Sequence, residues 1–129
     1  MKNSKKDVRI SAALATYNEE NNIVDCMNSL KQISDEIIVV DGTSADRTVE
    51  LARTSGAKVI ETSNKAMFNI NKNMAIKACQ GEWILLMDAD ERVSSELASE
   101  IKKRIREHPV ENGFWINRKN WFLGGYLKK

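Results

Sequence analysis

Two short, unbroken apolar runs constrain this chain most: Ile37–Val40 and Trp83–Met87. Runs of this kind, without polar alternation, fit strands covered on both faces, as in a parallel sheet flanked by helices. Each run ends on an aspartate, Asp41 in the first case and Asp88 in the second. Behind Asp88 stand Ala89, Asp90 and Glu91, so three carboxylates crowd one strand tip. They repel one another and gain nothing from packing, which makes sense if a cation sits among them. In an extended chain residues i and i+2 point to the same side, so Asp88 and Asp90 can face one ion or one ligand together. Hard divalent ions such as magnesium bind one or two carboxylates plus substrate phosphates. A plainer reading, in which the acids only open the loop before the next helix, is about as well supported by this stretch alone.

The rest of the chain alternates strand and helix. Val8–Ala15 reads as a first strand, followed by the polar loop Thr16–Asn22. Ile23, Cys26, Met27 and Leu30 form a helical stripe, with Asn22 as its N-cap. Glu36–Val40 gives a second strand, and a helix from about Asp46 to Ser55 ends at Gly56, where a left-handed residue is needed. Lys58–Glu61 is a short third strand. A helix over Phe68–Cys79 turns Ile70, Met74, Ala75 and Ala78 inward. After the fourth strand, Ser94 caps a helix to about Glu107 with Leu97, Ile101 and Ile105 on one face, and Gly113–Asn117 reads as a fifth strand. The order predicts an α/β fold: a mostly parallel sheet sandwiched by helices. Ligands of such sheets bind beyond the carboxyl ends of the strands. Thr16, Tyr17 and Glu19 follow strand one, Asp41 follows strand two, and Asp88 and Asp90 follow strand four, so three remote loops converge on one sheet edge.

At 129 residues the chain is one domain, 1–129, with room for a core. The net charge of +2 is too small to imply nucleic acid. Lys2, Lys5, Lys6, Lys128 and Lys129 read as solvated tails. Cys26 and Cys79 sit in helical patterns without metal-ligand spacing and read as reduced core residues. The N-terminus is polar, and no apolar run is long enough to span a bilayer. Together these features predict a cytoplasmic protein, with the inner face of the membrane as an alternative place.

Each candidate has a plain reading beside its functional one. Asp41 either caps the next helix or accepts a hydrogen bond from a nucleoside. Tyr17 either stacks on a base or covers the sheet edge. Lys72 is either a solvated helix lysine or a counter-charge for a diphosphate near a helix start. His108, beside Pro109, reads as surface.

Taken as a set, these residues resemble a known family. Ala15–Ile23 (Ala-Thr-Tyr-Asn-Glu-Glu-Asn-Asn-Ile) looks like the opening motif of family two glycosyltransferases, and Glu36–Thr48 looks like their second. Lys72–Ala75, then Gly81–Trp83 with Asp88–Arg92, look like the third and fourth. The motifs occur in family order over nearly the whole chain. Bacterial transferases that add sugars to the lipopolysaccharide or lipooligosaccharide core look most similar, through Asn117–Gly124. The resemblance implies a Rossmann-like, A-type glycosyltransferase fold, a nucleotide-diphosphate sugar as donor and a saccharide or lipid-linked acceptor. It implies that Thr16, Tyr17, Glu19 and Asp41 hold the nucleoside and that Asp88 contacts the ribose or sugar. Asp90 would ligate Mg2+ or Mn2+ on the diphosphate. It also implies inversion at the anomeric carbon, with a carboxylate base deprotonating the acceptor.

Members of that family usually continue well past the segment resembling Asn117–Gly124, and the later portion carries the acceptor site and the usual base. The chain therefore reads as a donor-binding half. After Asp90 it offers Glu91, Glu96, Glu100, Glu107 and Glu111, none placed as a base should be, and no catalytic residue is assigned. A nucleotide-binding module without catalysis is the alternative. A phosphoacceptor signalling domain would leave both Asp88–Asp90 and the Thr16–Glu19 loop unexplained. Trp115, Trp121, Phe122, Leu123, Tyr126 and Leu127 crowd the last fifteen positions and predict self-association or packing under a missing remainder. Peripheral membrane contact ranks second.

Overall fold

The structure, a computed structural model, describes residues 9–64, 67–107, 110 and 113, together with the backbone of 118–120 and 125–127. Four parallel strands form the main sheet: β1 (Ile10–Thr16), β2 (Glu36–Asp41), β3 (Lys58–Glu61) and β4 (Trp83–Leu86). Their order is β3-β2-β1-β4, with β1 hydrogen-bonded to both β2 and β4. The chain thus runs outward from β1 to β3 and then crosses back to the far side of β1. The strand order reverses between β1 and β4, and a crevice opens at such a switch point beyond the carboxyl ends.

Among the described residues four helices lie between and after these strands: α1 (Ile23–Leu30), α2 (Thr48–Thr54), α3 (Phe68–Ala78) and α4 (Ser95–Arg106). Ala12 and Leu14 of β1 and Ile37 and Val39 of β2 join Ile23, Met27 and Leu30 of α1, Ala52 of α2 and Ile105 of α4 in the larger core. The alternate residues, Ala13, Ile38 and Val40, face α3 through Ala75. Period-two alternation therefore feeds two cores at once, which is why the strands are apolar throughout. Gly56 follows α2 at φ +106°, a left-handed residue as its position predicts. Ser94 caps α4 by accepting the Leu97 N–H at 3.1 Å.

The expected α/β sandwich of a mostly parallel sheet is what the structure shows, but several details differ. β4 is not buried on both faces. Ile84 and Leu86 are 39% and 45% exposed, because β4 is an edge strand of this sheet and α3 packs on β1 and β2. Ile70 points to solvent rather than inward. The buried residues of α3 are Asn71 and Ala75, one turn apart, and Asn71 is drawn in by the hydrogen bond its side-chain amide donates to the Asn64 carbonyl at 2.9 Å. Asn22 stands at the N-cap of α1, yet its side chain caps nothing there. Cys26 is buried, but Cys79 is only partly so. Beyond α4, Arg118–Asn120 (β5) pairs antiparallel with Gly125–Leu127 (β6). The strand expected over Gly113–Asn117 lies outside the described residues apart from Gly113, as do the lysine tails, His108, Glu111 and the aromatic side chains of the C-terminal segment. Among the described residues no helix is long and apolar enough to cross a membrane.

Candidate active site

Thr16 is the last residue of β1 and Asp41 the last of β2, paired side by side in the parallel register. Both are buried, Asp41 completely. The Thr16 hydroxyl donates to Asp41 Oδ1 at 2.7 Å. Ser44 adds two bonds, its N–H to Asp41 Oδ2 at 2.7 Å and its hydroxyl to Oδ1 at 2.6 Å. The Asn18 N–H then donates to Ser44 Oγ, and the Asn18 side-chain Oδ1 accepts the Ala45 N–H, both at 2.8 Å. One carboxylate thus knots the β1–α1 loop to the β2–α2 loop. A buried carboxylate needs such donors, because burying it unpaired is costly.

The knot bends the backbone. Asn18 and Thr43 hold φ at +54° and +65°. Asparagine tolerates the left-handed region, whereas a β-branched threonine there is strained by roughly 1–2 kcal/mol. The Thr43 hydroxyl donates to the Thr62 carbonyl at 2.6 Å, tying the bend to the end of β3. Asp46 reinforces the same region. Its carboxylate accepts the Thr48 N–H at 3.0 Å, the Thr48 hydroxyl, and the Glu20 N–H at 3.2 Å. Burial alone would raise the Asp46 carboxyl, but these bonds outweigh it and hold the group below the usual carboxylate range.

Glu19 belongs to this network through its backbone and its side chain. Its N–H donates to Thr48 Oγ1 at 2.7 Å, and its Oε1 accepts from the Asn22 amide at 3.1 Å. Tyr17 is half-buried beside the knot.

Across the switch point, Asp88 follows β4. Lys72, one turn into α3, reaches it with Nζ 2.8 Å from Oδ1. Lys72 is therefore neither a solvated helix lysine nor an isolated cation. Asp90 is exposed, and its carboxylate has no hydrogen-bond or ion-pair partner among the described residues. The acidic turn closes on itself: Glu91 Oε1 accepts the Asp88 N–H at 2.9 Å, and the Asp88 carbonyl accepts the Glu91 N–H at 3.0 Å. Beneath it, burial pushes the Cys26 thiol up to about 12 despite the opposing pull of Arg92, so Cys26 is a neutral packing group.

The predicted residues thus fall into two groups at one edge. Thr16, Asp41 and Glu19 are bound into the knot, with Tyr17 next to it. Lys72, Asp88 and Asp90 line the other side. Sequence reasoning missed Asn18 and Ser44 as knot members, and the Asp41-to-Ser44 spacing of an aspartate turn was the signal for them. Among the described residues a surface depression lies elsewhere, on the outer face of α4 along Glu96, Glu100, Lys103 and Glu107. It is open and shallow, and lacks convergent buried groups, so the strand ends remain the candidate site.

A divalent cation can be tested against this geometry. Among the described residues no three metal-binding side chains cluster. Asp90 is open to solvent and Asp88 has one neighbour, a pair suited to an ion that takes its remaining ligands from a substrate phosphate and water. The donor set fits such a shared ion and does not fit an ion caged by protein alone.

Comparison with known proteins bears on the family and the fold. The profile of the family described as glycosyl transferase family 2 matches residues 11–122. An uncharacterized glycosyltransferase of Rickettsia typhi is 43% identical over 100 residues, which cover 78% of this chain and 34% of that protein. Among solved structures, Staphylococcus aureus TarS in complex with UDP superposes with a TM-score of 0.66 at 31% identity, over 78% of this chain and 32% of the other. Glucosyl-3-phosphoglycerate synthase of Mycobacterium tuberculosis, solved with Mn2+, UDP and glucosyl-3-phosphoglycerate, gives 0.56 at 26% identity, over 64% and 33%. The chain spans about a third of the length of these relatives. The fold they share with it is the Rossmann-like, A-type glycosyltransferase fold.

Proposed function

This chain belongs to glycosyltransferase family 2, and from that premise we propose that it forms the donor-binding part of an enzyme that moves a sugar from a nucleoside diphosphate to a saccharide or lipid-linked acceptor. The observation that carries the reading is the meeting of the β1, β2 and β4 ends at the switch point, with the Asp88 and Asp90 carboxylates on one side. Tyr17 and Glu19 flank the nucleoside, over a floor set by Thr16 and Asp41. Asp88 meets the ribose or sugar, Lys72 meets the diphosphate beside it, and Asp90 holds the metal. Two relatives in the comparison are solved with UDP, and one of these also with Mn2+, which supports a nucleotide donor and a divalent ion. When bound, the ion offsets the charge that develops on the departing diphosphate. The protein's own part is to fix donor orientation and hold the open carboxylates in register. Inversion, a place in bacterial cell-surface polysaccharide synthesis such as the lipopolysaccharide core, and a cytoplasmic location at or near the membrane belong to the same proposal and rest on the family resemblance.

Calorimetric titration of UDP and GDP into the chain, with MnCl2 and with EDTA, tests it. Binding of at least one nucleotide that needs the metal is expected. Binding indifferent to chelator overturns the metal assignment, and no binding of either nucleotide overturns the donor site.

A binding module without turnover is the second reading. It is favoured by the placement of the glutamates after Asp90: Glu91 is engaged by the acidic turn, while Glu96, Glu100 and Glu107 lie exposed along α4. Release of free nucleotide from a panel of nucleotide sugars separates the two, since only the enzyme turns donor over.

A further inference from the structure

The acidic turn is not held by β4 alone. Arg92 bends back over it, and Nη1 donates to the Ala89 carbonyl at 2.9 Å and to the Glu91 carbonyl at 3.0 Å. Ala89 lies between the two aspartates and is buried, so its carbonyl is a fixed point from which Asp88 and Asp90 diverge. The other guanidinium nitrogen, Nη2, donates to Asn22 Oδ1 at 3.3 Å. The Asn22 amide nitrogen in turn donates to Glu19 Oε1 at 3.1 Å. A chain of three side chains, Glu19–Asn22–Arg92, therefore runs from the first loop to the backbone of the acidic turn, across 70 residues of sequence.

Helix α1 supports the same joint along one side. Cys26 Sγ approaches the Asp88 carbonyl at 3.8 Å. Ser29 Oγ accepts the Val93 N–H at 3.0 Å, and the Gln32 amide just past the helix donates to the Val93 carbonyl at 2.9 Å. Asn22, Cys26 and Ser29 are spaced i, i+4 and i+7, so they share one edge of α1 next to its apolar stripe. The acidic turn thus sits on the helix that the first loop starts. Asn22 serves this joint where the sequence predicted a helix cap.

We infer that Arg92 is a positioning residue, which with Asn22 joins the acidic turn to the nucleoside-side loop so that both halves of the donor site keep one relative geometry. This inference rests on the donor-site reading and adds a residue pair to it. Arginine suits the role because its planar fork bonds two carbonyls and an amide oxygen together, and lysine supplies a single point of donation.

The test uses the full chain and the variants Arg92→Ala, Arg92→Lys, Asn22→Ala and the Arg92→Ala/Asn22→Ala double. The first readout is amide hydrogen exchange without ligand, at Asp88 and Glu91, with the β1 and β2 amides as the control. The second is the Kd of UDP in MnCl2. Faster exchange at Asp88 and Glu91 is expected in both single alanine variants, with β1 and β2 unchanged. Arg92→Ala is expected to raise the Kd about tenfold, as loss of a charged donor set allows. Arg92→Lys should recover part of that loss. The double variant should lose no more than Arg92→Ala, since the two residues act through one link. Full multiplication of the two single effects, or an acidic turn indifferent to Asn22→Ala, overturns the link. If Arg92→Ala does not fold, Asn22→Ala and Arg92→Lys carry the test by the same two readouts. A wild-type chain that binds no UDP in metal overturns the donor-site reading itself, while the exchange data still decide whether the joint exists.

Discussion

The two sides of the sheet edge are built in opposite ways. At the ends of β1 and β2, every polar group that the fold turns inward is spent on another: Asp41 accepts from Thr16 and Ser44, and Ser44 accepts from Asn18. At the end of β4, Asp88 is half-buried with a single lysine beside it and Asp90 is exposed. The closed side is a self-sufficient piece of structure. The open side carries charge that packing does not use, and charge of that kind has its use when a ligand arrives. Stability and binding should therefore separate between the two sides.

Asp41→Asn tests the closed side and should have the largest effect on folding. It replaces an acceptor by a group that turns an NH2 toward the Thr16 hydroxyl or the Ser44 donors. A loss of about 2–3 kcal/mol, of the order of an unsatisfied buried group, is expected in urea unfolding. An unchanged midpoint would mean that the knot is dispensable. From sequence alone the same substitution is expected to spare the fold, because asparagine caps helices nearly as well as aspartate. Burial of Asp41 reverses that expectation.

Asp90→Asn tests the open side. Unfolding should stay within about 0.5 kcal/mol of wild type, as for exposed positions without partners. UDP binding should lose its dependence on MnCl2 and weaken about tenfold, the loss of one charged contact. A variant that binds UDP as wild type does and still responds to EDTA would move the metal to other groups.

Lys72→Met asks whether the open side stores stability in the Lys72–Asp88 ion pair. Removing a partly exposed pair should cost no more than about 1 kcal/mol. The Kd for UDP should rise several-fold, roughly one charge-assisted bond. A larger cost in folding than in binding would place Lys72 on the structural side.

The smallest expected effect concerns acid. The Asp46 carboxyl is held below its usual range, so its contribution to stability is complete above the unfolded pKa, near about 3.9, and fades as pH falls through the lower folded value. Asp46→Asn should lower stability modestly at neutral pH, where that contribution is complete, and flatten the acid limb below about pH 4, so that variant and wild type converge in acid. A variant with the same acid limb as wild type would show that Asp46 titrates alike in both states.

Much of this was legible because apolar runs mark buried strands. Ile37–Val40 and Trp83–Met87 located β2 and β4, and the polar residues after them located the edge. What the runs cannot carry is how many neighbours a strand has. Trp83–Leu86 reads as doubly covered, yet Ile84 and Leu86 face out because no helix of the described chain packs over that face of an edge strand. Ile70 failed for a related reason: a helical stripe read from apolar residues missed that a buried asparagine, Asn71, defines the inward face of α3. In the site, Asp41, Asp88 and Lys72 were identifiable one by one. Their pairings were not, since Lys72 to Asp88 and Arg92 to Asn22 depend on tertiary approach rather than on any local pattern. Nor does threonine announce a left-handed backbone, and Thr43 adopts one because the knot on either side of it compels the turn.

The strand order also sets a timetable. In the register of the sheet, Ser11 meets Glu36, 25 positions on, whereas Ile10 meets Trp83, 73 positions on. Closing the longer loop costs about 1 kcal/mol more chain entropy. The strand that leads to the open carboxylates is thus the last of this sheet's four to be synthesised, and its pairing with β1 closes a longer loop than that of β2. During synthesis the Thr16–Asp41 knot has both halves available while Asp88 has yet to be made. Pulse-labelled hydrogen exchange during refolding should find amides between β1 and β2 protected before those between β1 and β4. Within this sheet the edge with the exposed carboxylate is also the edge that is completed last.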